Sequence, residues 1–129
     1  METQPLLTYL TSLGYAVSQL SSKDNVTIYL AKHASRLSLV VKYVEGVGFL
    51  LTANFPLNKK ALQERQKLLE AVNRMNVVSF LCGFALEENN NLVGKSLYFP
   101  EFLEKTFSDF LVTFEADIKN NIKEIVEFI

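Results

Sequence analysis

Apolar residues recur at steps of three and four towards the end of the chain and at steps of two through its middle. In residues 101–129 they are Phe102, Leu103, Phe107, Phe110, Leu111, Phe114, Ile118, Ile122, Ile125 and Val126. That spacing predicts one long amphipathic helix with a single apolar face. Pro100 stands ahead of it, where a missing N–H costs nothing. Helical throughout, the segment is about 40 Å long at about 1.5 Å per residue. The rest of the chain then supplies the surface on which that face lies.

Residues 5–13 predict a first helix with Leu6, Leu7, Leu10 and Leu13 in one stripe, Thr3 as N-cap and Gly14 in the left-handed position past its end. Residues 15–17 open a short strand, and 21–25 form a turn of small and polar residues. Residues 26–32 alternate, with Val26, Ile28 and Leu30 on one side and Thr27 and Tyr29 on the other. After a tight connection at 33–35, residues 36–44 form the next strand. Leu37, Leu39 and Val41 share one face, while Val40 and Tyr43 break the alternation, so both faces are expected to be partly covered. A turn at 45–48 leads to a third strand at 49–55, completing an antiparallel meander.

Pro56 ends that strand. Asn58 then caps a middle helix over 59–75, with Leu57 and Leu62 at the spacing of a hydrophobic staple and Leu62, Leu68, Leu69, Val72 and Met75 facing inward. Residues 77–86 and 92–99 predict a second hairpin around the polar loop 87–91. The order is helix, three-strand meander (four strands if 15–17 is counted), helix, hairpin, helix. That is an α+β fold, helices packed on a mainly antiparallel sheet, within a single domain over 1–129.

Composition narrows the function. At 129 residues and 49 % hydrophobic, one domain can bury a sizeable core. A net charge of −1 argues against a dedicated nucleic-acid binder. Cys82 is the one cysteine, so no intrachain disulfide forms, which fits a reducing cytoplasm. Residues 1–5 lack the features of a signal peptide, and no apolar run reaches the roughly 18 residues of a membrane helix. A soluble cytoplasmic protein with no membrane association is expected. Charge is uneven, with five basic and two acidic residues in 56–75 against three basic and seven acidic in 101–129. Two readings follow: ordinary solvated helix faces, or a charge pair that steers self-association or partner binding.

Candidate chemistry is sparse. His33 and Cys82 are the only imidazole and thiol; alone they cannot build a zinc site, and Cys82 sits in the apolar run Phe80-Leu81-Cys82-Gly83-Phe84. Glu87 and Glu88 suit a solvated turn, and Glu101, Glu104, Asp109, Glu115 and Asp117 suit the polar side of the last helix. Gly46-Val47-Gly48 precedes a strand and no Walker lysine follows, so it serves a turn. No catalytic residue, cofactor or metal is expected. The phenylalanines suit a core, with a surplus that Phe128, Ile129 or part of the 102–114 face could present to a partner.

Three local patterns resemble the bacterial YbjN family, which shares its fold with class I chaperones of type III secretion. They are Leu10-Thr11-Ser12-Leu13-Gly14-Tyr15 at the end of the first helix, Leu69-Glu70-Ala71-Val72-Asn73-Arg74-Met75-Asn76 at the end of the middle helix, and Phe84-Ala85-Leu86 with Leu92-Val93 flanking the last hairpin loop. The resemblance implies a helix–sheet sandwich, a dimer and no enzymatic activity. Members are described as candidate regulators of sensory transduction, and the related chaperones hold unfolded client segments. The expected function is therefore a non-enzymatic protein-interaction module, homodimeric, with a protein client or regulatory partner. An edge strand or apolar groove would receive an extended segment, and the candidate surface is Leu68, Leu69, Val72, Val77 and Phe80. The alternative is a small-ligand domain with an apolar pocket between sheet and last helix, lined by Phe107, Phe110 and Phe114.

Overall fold

The computed structural model describes residues 3–98 and 102–129. Pro100, Phe99 as the end of the last strand, Glu101 as a helix start, and Met1 and Glu2 lie outside them. In chain order the elements are α1 (Gln4–Ser12), β1 (Ala16–Lys23), β2 (Val26–Lys32), β3 (Leu39–Val44), β4 (Gly48–Pro56), α2 (Lys59–Gln63), α3 (Arg65–Val78), β5 (Gly83–Glu87), β6 (Asn91–Tyr98), α4 (Glu104–Ile122) and a 3₁₀ segment (Lys123–Phe128). The six strands make one sheet in the order β1-β2-β3-β4-β6-β5, antiparallel throughout. The fold is α+β, with its helices packed on the sheet.

Alternation decides which side of each strand meets the helices. Ala31, Leu39, Val41, Phe49, Leu51, Ala53, Leu92 and Phe84 point to one side and join a single core with Leu6 and Leu10 of α1, Leu68 and Met75 of α3, and Phe107, Leu111, Phe114 and Ile118 of α4. Gly94 is what lets α4 close on β6. A Cβ there would lie 2.5 Å from Ile118 Cδ1 and 2.8 Å from the Phe84 ring.

The structure corrects several expectations. The meander has four strands, because β1 runs to Lys23 with a bulge between Gln19 and Ser21. The expected five-residue turn shrinks to Asp24 and Asn25, both at positive φ, as a two-residue hairpin requires. The alternation expected of β2 holds, with Tyr29 and Ala31 on the core side and Val26, Ile28 and Leu30 facing away from the helices. The middle helix is two helices, interrupted at Glu64 (φ −116°, ψ 50°). Asn58 does cap α2, its side chain accepting from Ala61 N–H at 3.2 Å. The staple is not made, since Leu62 is exposed. Thr3 stands at the α1 N-cap but makes no capping bond with its side chain. Gly14 takes the left-handed conformation expected of it, φ +96°. The last helix begins only at Glu104 and gives way to the 3₁₀ segment after Ile122, so α4 is about 28 Å long at about 1.5 Å per residue.

The uneven charge is answered within the chain. Glu127 meets Lys60 at 2.6 Å and Lys67 at 3.1 Å, and Glu124 meets Arg74 at 3.0 Å. These pairs tie part of the acidic C-terminal segment to the basic middle helices. Of the surplus apolar residues that could have faced a partner, Phe128 is buried, its carbonyl accepting from Asn58 N–H at 2.8 Å, while Ile129 is exposed.

Candidate functional site

Among the described residues, the corner between α3 and β5 carries the two most exposed large apolar side chains, Phe80 and Val77, with Val78 beside them. The 77–86 segment was expected to be a strand, but α3 continues through Val78 and β5 starts at Gly83. Asn76 explains the change. Its side-chain amide donates to Phe84 C=O at 2.9 Å and accepts from Phe84 N–H at 2.8 Å, doing for Phe84 what a neighbouring strand would do. Ser79 then turns the chain, its hydroxyl donating to Cys82 C=O at 2.8 Å.

Asp117 of α4 fixes the loop that follows. It is only 7 % exposed. Its carboxylate accepts from Phe80 N–H (3.0 Å), Leu81 N–H (2.8 Å), Cys82 N–H (2.8 Å) and the Asn121 side-chain amide (3.0 Å). Burial works against its charge, but the backbone donors outweigh it and hold the carboxyl below its ordinary 3.8. Asp117 was expected on the polar side of the helix; it lies instead in the buried stripe with Phe114, Ile118 and Asn121.

The loop so held presents Phe80 at 84 % exposure, beside Val77 at 75 % and Val78. The five residues of the expected surface therefore separate. Leu69, Val77 and Phe80 are exposed, whereas Leu68 and Val72 are buried in the core and unavailable to a partner. Leu68 and Val72 lie on the inner face of α3 and Leu69 on its outer face, a distinction the helical spacing blurs where apolar residues are adjacent.

His33 and Cys82 serve the fold separately. His33 Nε2 donates to Leu13 C=O at 2.9 Å, and Nδ1 accepts from Ser35 and Arg36 N–H at 3.0 and 2.9 Å. Cys82 is buried in the loop before β5, where burial and then the Asp117 charge push its thiol up to about 12. Among the described residues no three His, Cys, Asp or Glu side chains stand close enough to hold a metal ion, and no helix is long and apolar enough to cross a membrane.

The pocket expected around Phe107, Phe110 and Phe114 is filled. Phe107 and Phe114 are fully buried, and Phe107 packs on Tyr9, Tyr98 and Phe102 with ring centroids 5.1–5.9 Å apart. A cleft of about 510 Å³ lies further along α4, lined by Leu37, Phe55, Ile118 and Ile122 with Ser35, Arg36, Glu115 and Lys119. Arg36 grips Glu115 in a two-pronged pair at 2.6 and 3.2 Å. Burial and the Glu115 charge push the adjoining Tyr15 hydroxyl up to about 12.

No protein-family model and no curated protein matches the chain. Among solved structures it is similar to YbjN from E. coli, described as a putative transcription regulator. The TM-score is 0.63 at 14 % identity, over 95 % of this chain and 89 % of that one. The YbjN-like fold holds over nearly the whole chain. Of the three local patterns that resembled the family, two contain residues with a definite structural task, Gly14 after α1 and Asn76 before β5.

Proposed function

We propose that this chain is a non-enzymatic, cytoplasmic protein-interaction module of YbjN type that works as a homodimer through the Phe80 corner. The observation that carries the reading is Phe80 itself, 84 % exposed on a loop held by the Asp117 carboxylate. Burying such a side chain is worth about 1.5–3 kcal/mol, and a pre-fixed loop loses little freedom on docking. Val77, Val78 and Leu69 extend the apolar area that a partner would cover. Regulation of the kind named for YbjN, or the client holding of secretion chaperones, can proceed through such contacts without a catalytic step. The separate structural duties of His33 and Cys82 agree with that.

The test is directed crosslinking. In a Cys82→Ala background, Val77→Cys should give a disulfide-linked dimer on mild oxidation, whereas Leu20→Cys, exposed on β1, should not. A Val77→Cys chain that stays monomeric, or crosslinks no faster than Leu20→Cys, would contradict the reading. The cleft beside Arg36 and Glu115 supports a second reading, a small-ligand domain. A bound molecule seen in native mass spectrometry and lost on Ile122→Trp, a half-buried position lining that cleft, would favour it.

A further inference from the structure

We infer that the helix-free face of the sheet is a second binding surface, and that its occupant is an acidic amphipathic helix of another protein. Strand register fixes which side chains it carries. Leu30 lies opposite Val40, Ile28 opposite Lys42, Lys42 opposite Leu50, and Leu50 opposite Leu97. Val93 stands on the same face, opposite Asn54. Ile28, Leu30, Val40, Leu50 and Leu97 are all absent from the core formed with the helices and from the residues packed against it, whereas Val93 is itself buried. An antiparallel sheet with one face in water normally alternates apolar and polar positions. Here each of four adjacent strands turns at least one aliphatic side chain outward, Ile28 and Leu30, Val40, Leu50, and Leu97, as on a surface that something covers.

Charge selects the occupant. Lys23, Lys32, Lys42 and Lys95 project from this same face by register, and among the described residues none of them joins an ion pair. Glu87, at the far hairpin end, is the one carboxylate among the face's strand positions, and it already accepts from Asn91 at 3.4 Å. A second copy laid face to face would set lysine against lysine, which disfavours it. A nucleic acid would want arginine or stacking aromatics, and this face has neither among its strand positions. A lipid surface calls for side chains that protrude. Here Ile28, Leu30, Val40 and Leu50 are half-buried by their neighbours, and only Leu97 passes 40 % exposure. A helix with an aliphatic stripe flanked by Asp and Glu satisfies both features, lying on the pleated surface as α4 does on the other side. The surface is distinct from the Phe80 corner, which belongs to the helical side, so the two proposals stand or fall separately.

The experiment titrates the full ¹⁵N-labelled chain, at low salt, with two synthetic helices of leucine and glutamate or leucine and lysine, each about 18 residues long so as to be helical alone. The glutamate helix should shift backbone amides of β2, β3, β4 and β6 and leave those of 77–82 unmoved. Lys42→Glu with Lys95→Glu should weaken it at least about tenfold and admit the lysine helix, with thermal stability unchanged. Phe80→Ser should bind the glutamate helix as the wild type does. Equal binding of both helices, or shifts centred on 77–82, would overturn the inference. So would occupation of this face by a second copy, phosphatidylglycerol vesicles or duplex DNA while the glutamate helix leaves it untouched.

Discussion

Asp117 is the residue on which the candidate surface depends. Three consecutive N–H groups converge on one carboxylate, whose negative charge strengthens all three bonds. Asp117→Ala should lower stability in urea by about 3 kcal/mol, since it strands several buried donors. It should also release Phe80, seen as faster hydrogen exchange at residues 80–82; unchanged exchange there would contradict the assigned role. The pH dependence follows from the sign of the shift. A carboxyl held below its unfolded value stabilises the fold fully above that value, and the contribution is lost as pH falls through the lower, folded one. Acid unfolding of the wild type should therefore show a limb below about pH 4 that flattens in Asp117→Asn. The sequence could have shown Asp117 by its place beside Phe114 and Ile118, four residues before Asn121, within the apolar stripe. Its charge instead suggested the solvent side.

At the scale of elements, hairpins were legible and helix limits were not. Strict alternation marks β2 to the residue, and the polar loop with Asn90 at positive φ marks the last hairpin. Residues 77–86 misled because Val77, Val78, Phe80 and Phe84 have strand-forming side chains. The structure keeps the first two on a helix end and gives Phe84 a side-chain partner, Asn76, eight residues away. The break at Glu64 leaves no mark in the apolar pattern either. The contact of α4 with β6 rests on Gly94, whose absent side chain no periodicity reveals. Gly94→Ala should cost about 1–3 kcal/mol by overpacking against Ile118 and Phe84. A compensating Ile118→Val should recover part of it in thermal unfolding, and additive losses in the double variant would show that the contact is not the cause.

For the whole molecule, one sheet face is committed to helices and the other is open, and this could not be read from alternation alone. Both faces of β2 and β3 carry aliphatic side chains, so the sequence suggests two covered faces where the chain itself covers one. The YbjN-like fold fixes the layers, and the Phe80 corner lies among the helices. The expected surface divides by helical facing: α3 turns Leu68 and Val72 into the core and Leu69 away from it.

Sedimentation velocity over a hundredfold range of concentration, on the wild type and on Phe80→Ser, tests the central claim most directly. The account predicts a wild-type dimer that dissociates on dilution, and a Phe80→Ser chain of unchanged urea stability that remains monomeric over the same range. A monomeric wild type, or a dimer indifferent to Phe80, would contradict it.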